Sequence, residues 1–216
     1  MGAIARSAAN NITTSGVFTS NAITNSSVTG ITVLANATDG ITLISSQTAS
    51  NSASISFTSG ITSTYKAYKF VFSNVHPRTN ATPFQFNLST DSGSNYNVTK
   101  TTTTFKAYLD EGNATGVLKY ESSYDLAQST AFQMLAEDVG SGADESCSGT
   151  FLLFNPSSTT YVKHFISNCN GYLQAGSYSE NFFCAGYGNT TSAINAIQFK
   201  FSTGNFDGTI YLYGIK

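Results

Sequence analysis

From residue 41 onward, apolar and polar residues alternate with a period of two, and this pattern limits the possible folds more than any other feature. Ala53, Ile55 and Phe57 alternate with Ser54, Ser56 and Thr58. Tyr68, Phe70 and Phe72 repeat the pattern, as do Phe84, Phe86 and Leu88. Near the C-terminus it returns in Ile197, Phe199 and Phe201, and then in Ile210 and Leu212 set against Tyr211 and Tyr213. A period of two turns one face of an extended strand inward. Phe151-Leu152-Leu153-Phe154 is a continuous apolar run, which suits a central strand buried on both faces. Turn clusters separate these segments: His76-Pro77-Arg78, Asp91 to Asn95, Gly140-Ser141-Gly142, Asn155 to Ser158, Gly204-Asn205 and Asp207-Gly208. Closely spaced strands without amphipathic helices predict an all-β domain, an antiparallel β-sandwich of jelly-roll type. Only Leu126 to Glu137 is open to either helix or strand.

Residues 1–40 differ. They hold one aromatic, Phe18, and two charges, Arg6 and Asp39. Such a stretch cannot bury enough apolar surface to fold alone. Its recurring β-branched residues nevertheless suit short extended pieces divided by turns. We expect an extended N-terminal arm over 1–40 that anchors through Ile12, Val17, Phe18, Ile23 and Ile31, with a β-sandwich head domain over 41–216.

Charge narrows the function. Asp, Glu, Lys and Arg make up 10% of the 216 residues, against about 25% in an ordinary soluble domain. Ser, Thr and Asn supply the polarity instead, at 78 residues. A net charge of −2 with ten Lys and Arg argues against an electrostatic nucleic-acid binder. No apolar run is long enough for a transmembrane helix, so membrane insertion is not expected. Glu and Lys are too scarce for a coiled coil. The N-terminus lacks the apolar segment of a secretory signal. Cys147, Cys169 and Cys184 show no C-x-x-C spacing and read as buried small hydrophobes made in a reducing cytoplasm. The eight Asn-x-Ser/Thr sequons, from Asn11 to Asn189, then reflect composition rather than glycosylation.

The residues favour no enzyme and no cofactor. His76 sits in a turn and His164 on a strand, and no G-x-S-x-G elbow accompanies them. Asp110 and Glu111 are neighbours, so a strand would point them to opposite faces, unlike a glycosidase pair. The segment 137–145 holds four carboxylates. It lacks the alternating ligand spacing of a calcium loop, and a solvated acidic loop is the plainer reading. Tyr172, Tyr178 and Tyr187 lie in the Gly/Ser/Asn-rich stretch 170–189, which reads as long loops. Exposed tyrosines there would suit recognition of a sugar or protein, and we take them as receptor-facing candidates. The plainer role for them is the sandwich rim or a subunit interface.

Several segments resemble a known group. They are Ile41 to Ser50, Ile55 to Ile61, Val75-His76-Pro77, Ser89 to Val98, Asp125 to Thr130, Leu153 to Thr160, Ala185 to Ala193 and Gly208 to Ile215. Over about residues 41–216 the chain resembles short, fibre-like virion structural proteins of marine tailed bacteriophages, cyanophages in particular. Ile12 to Val17 is similar to their leading segment. The resemblance implies a virion location and a homotrimer whose arm contacts other virion proteins of the tail or capsid. It implies either a short tail fibre that binds a host surface glycan or protein, or a capsid decoration or fibre-adaptor protein. It supplies no catalytic motif.

Overall fold

The computed structural model describes residues 40–173 and 177–216, so the anchoring candidates Ile12, Val17, Phe18, Ile23 and Ile31 lie outside the described residues. The rest is all-β. Twelve antiparallel strands build one nearly closed, barrel-like sheet. They are β1 (Ile41–Ser52), β2 (Ile55–Phe57), β3 (Ala67–Pro77), β4 (Thr82–Ser89), β5 (Lys100–Asp110) and β6 (Gly116–Tyr120). The remainder are β7 (Gln133–Val139), β8 (Cys147–Phe154), β9 (Lys163–Leu173), β10 (Tyr178–Gly188), β11 (Ala196–Phe201) and β12 (Phe206–Ile215).

Strand pairing makes two layers. One runs β1-β12-β3-β8-β9 and continues through β10 and β5 to β6. The other runs β2-β11-β4-β7. They join where Val139 of β7 pairs with Leu173 at the end of β9. The expected sandwich is thus present as two facing layers, closed at this corner into a single sheet.

The period-two residues form the core between the layers. Phe70 and Phe72 of β3, Phe151 of β8 and Phe165 of β9 are buried, as are Phe84 and Phe86 of β4 and Phe199 of β11. Across the gap, Phe70 meets Phe199 at 5.3 Å between ring centroids and Phe72 meets Phe84 at 5.1 Å. Phe86 meets Phe151 at 4.5 Å and Phe165 at 5.0 Å. These separations suit tilted and edge-to-face aromatic packing, which adds to the area buried. Phe199 touches five other rings, those of Phe57, Phe70, Phe72, Phe84 and Phe151, and so pins the layers together.

The structure differs from the sequence expectation in three places and decides a fourth that the sequence left open. The stretch 170–189 is not long loops: it lies mostly in the strands β9 and β10, paired without a break from Leu173–Tyr178 to Lys163–Gly188. Its small residues misled the reading, because Gly171 and Gly188 are buried positions filled from across the sheet. Asp207-Gly208 is not a turn but a bulge in β12 against β3. Gly208 has φ +129°, and a Cβ there would lie 2.6 Å from the carbonyl oxygen of Asn74, so only glycine fits. The run 151–154 is buried on one face only: Phe151 and Leu153 are inside, while Phe154 is 37% exposed on the outside. The ambiguous segment 126–137 becomes a turn leading into strand β7.

Candidate functional site

The outer surface of β8, β9, β10, β5 and β6 breaks the usual division of an antiparallel sheet into an apolar inside and a polar outside. In β5 the inward residues are Lys100, Thr102, Thr104 and Lys106, all buried. The outward residues are Thr101, Thr103, Phe105, Ala107 and Leu109. Cross-strand pairing assembles these with their neighbours into rows. One row is Thr150–Asn168–Phe183–Phe105–Tyr120 and another is Leu152–Ile166–Ala185–Thr103. A third runs Ser148–Asn170–Asn181–Ala107–Leu118. His164–Tyr187–Thr101 and Tyr172–Ser179–Leu109–Gly116 complete the face. Not one of these outward residues is Asp, Glu, Lys or Arg.

Large apolar groups meet solvent here. Leu118 is 76% exposed, Tyr120 60%, Ile166 52%, Leu109 47% and Phe105 44%. A shallow groove of about 510 Å³ crosses the face between Phe154, His164, Ile166, Ala185, Tyr187 and the Thr101–Thr103 segment. Its walls are almost entirely carbon, apart from the threonine and tyrosine hydroxyls and the imidazole.

Behind this face the barrel interior is polar where an apolar core would be expected. Lys106 forms an ion pair with Glu137, and its Nζ stands 3.3 Å from Oε2 of Glu180 and 3.8 Å from Oε2 of Glu121. Tyr124 donates its hydroxyl proton to Glu137. Glu121 is also held by Lys119 at 3.0 Å. Glu180 is 1% exposed, and its Oε2 has no aligned hydrogen-bond donor. Burial pushes its carboxyl pKa up to about 7, with Lys106 pulling the other way and Asp138 and Glu121 adding to the rise. Two lysines face three carboxylates, so a protonated Glu180 leaves Lys106–Glu137 and Lys119–Glu121 as balanced pairs. Farther along β5, the buried Nζ of Lys100 donates to Oδ1 of Asn87 at 2.5 Å and to the carbonyl of Val98 at 2.8 Å. No carboxylate accompanies it there, and desolvation lowers its pKa to about 7.

The three tyrosine candidates do not converge. Tyr172 and Tyr178 flank the β9–β10 connection. Tyr172 is outward, whereas Tyr178 stacks edge-on against Tyr108 with centroids 5.4 Å apart. Tyr187 is outward too, but its partner position lies eight residues from that of Tyr172 on β10, or about 26 Å along the strand. It packs against His164 instead.

The remaining candidates are scattered. Nδ1 of His76 lies 2.6 Å from the carbonyl oxygen of Glu145. The acidic segment 137–145 diverges, with Glu137 turned inward to Lys106 and Glu145 accepting from the Gly142 amide. Among the described residues no three His, Cys, Asp or Glu side chains gather as metal ligands. Cys147, Cys169 and Cys184 are buried free thiols, and desolvation raises the pKa of each, Cys169 to about 12. Asn87, in one of the sequons, is fully buried with its amide donating to Tyr96 and Thr130, so the folded chain could not present it to a glycosyl carrier. No described helix is long and apolar enough to cross a membrane.

The apolar face is not legible from the sequence because β5 is inverted. In 100–110 the polar residues point in and the apolar ones out, which period-two logic reads backwards. The available signal was the alternation Thr103, Phe105, Ala107, Leu109 itself, which marks a strand whatever its orientation. Comparison with known protein families, with curated proteins and with solved structures finds no significant match to this chain.

Proposed function

We propose that this chain is a structural protein of a tailed-bacteriophage virion. In the favoured form it is a short tail fibre, attached through residues 1–40, that displays the β-barrel head for host attachment. The proposal rests on the resemblance in sequence. The observation that supports it is the charge-free apolar face on β8, β9, β10, β5 and β6, a surface suited to permanent contact with other proteins. The partners are further copies, as a homotrimer, and other virion proteins. The reading includes no catalysis, no cofactor, no nucleic acid and no membrane insertion.

Host attachment assigns the β9–β10 end to a receptor glycan or protein, with Tyr172 and Tyr178 nearest to it and Tyr187 set back. The test is retention of the recombinant full chain on susceptible host cells, compared with phage-resistant cells. Selective retention that weakens in Tyr172→Ala and Tyr178→Ala supports the adhesin. Equal retention on both cell types contradicts it.

A second reading is a capsid decoration or fibre-adaptor protein with a purely structural role, which the same charge-free apolar face also suits. That reading expects no affinity for cells and a stable complex with a capsid or tail protein.

A further inference from the structure

We infer that a second copy of this chain packs on the outer face of β9, β10, β5 and β6, centred on Phe105, Phe183, Leu118 and Tyr120. The inference deepens the assembly part of the reading above by naming the surface and its occupant.

Area is the first argument. From the exposed fractions of Leu118, Tyr120, Ile166, Leu109 and Phe105, the large side chains of the face present on the order of 600 Å², at the top of the roughly 300–600 Å² of the largest patch on a typical monomer. A standard stable interface covers about 800 Å² per partner, so these side chains supply most of the area a stable contact needs.

Charge selects the occupant. None of the outward strand residues of the face is Asp, Glu, Lys or Arg, and the charges at its β6 margin are already engaged, Asp125 by the Tyr120 hydroxyl and Lys119 by Glu121, so the face has little to pair with a charged partner. A complementary surface must itself be free of charge, and the chain supplies one in this same face. Copies whose charge-free faces converge on a three-fold axis bury them without leaving a charge unpaired.

The mode is face to face and not edge to edge. β6 is an edge strand only five residues long. Lys119, its fourth residue, is exposed and tied to Glu121. A short edge strand that carries a lysine resists pairing with another edge, whereas Leu118 and Tyr120 on its outward side extend the apolar face.

The test uses the full chain. Light scattering after size exclusion is expected to give a mass that is a multiple of 22.9 kDa. Phe105→Glu with Leu118→Glu is expected to reduce it to 22.9 kDa with an unchanged circular-dichroism spectrum, while Ser46→Glu on β1 leaves the assembly intact. If the double variant fails to fold, Leu118→Trp decides, because the chain has no other tryptophan. Its emission is expected to be blue-shifted when concentrated and to move red on dilution as copies separate. A wild-type monomer at every concentration overturns the inference, and so does an assembly that survives both face substitutions. Blue emission from a chain that light scattering shows to be monomeric also overturns it, since other residues of the same chain would then cover the face. None of these results bears on whether the protein is found in virions, which is measured separately.

Discussion

Phe105 of β5 and Phe183 of β10 lie face to face on the outside of the sheet, with ring centroids 4.6 Å apart and planes 9° from parallel. Stacked phenyl rings normally belong to a core, and here Phe105 remains 44% exposed. The pair contributes to folding only what half-buried rings can, about 1 kcal/mol beyond area. Its larger effect comes with association. The melting temperature of the wild-type chain is therefore expected to rise with protein concentration, since binding to the native state stabilises it. Phe105→Ala should flatten that dependence while changing the melting temperature of dilute protein by only a few degrees. Calorimetry over a hundredfold concentration range checks both.

Phe199 makes the opposite case. It is fully buried and meets rings from both layers. Phe199→Ala is expected to cost about 3–5 kcal/mol by opening a cavity between the layers, measured by urea unfolding. Phe199→Leu should cost clearly less.

Glu180 gives a pH dependence with a definite sign. Its pKa is about 7 in the fold, against 4.5 when unperturbed. Between these values the native state holds a proton that the unfolded state has lost, so stability contributed by this group is full below 4.5 and falls as pH rises towards 7. The loss is on the order of 3 kcal/mol. Glu180→Gln stays neutral throughout, and its stability relative to wild type should grow across pH 4.5–7. Lys100 acts in reverse, because its lowered folded pKa makes stability rise with pH from about 7 towards 10.5. Denaturant melts at half-unit pH steps separate the two.

At Gly208 the bulge requires a backbone conformation that side chains avoid, and Asn74 stands where a Cβ would go. Gly208→Ala is expected to destabilise the chain by about 1–3 kcal/mol. Gly112→Ala, with no heavy atom nearer than 3.8 Å, should change stability far less.

The core strands were legible because their chemistry follows period two: Tyr68 to Phe72, Phe84 to Leu88 and Ile197 to Phe201 point inward as read. Two other features were not. The four inward residues of β5 from Lys100 to Lys106 pass for a surface strand unless their partners are known. Those partners are distant in sequence: Lys106 pairs with Glu137 and Glu180, and Lys100 with Asn87. The face has the same origin, since Phe105, Phe183 and Leu118 become neighbours only through the pairing of three strands.

The most direct test of the functional account is the copy number of this chain per purified virion, by quantitative mass spectrometry against the major capsid protein. A small multiple of three, far below the capsid protein, is the result expected for a tail fibre. A number comparable to the capsid protein would replace the fibre with decoration of the head. Absence from the virion would contradict the account altogether.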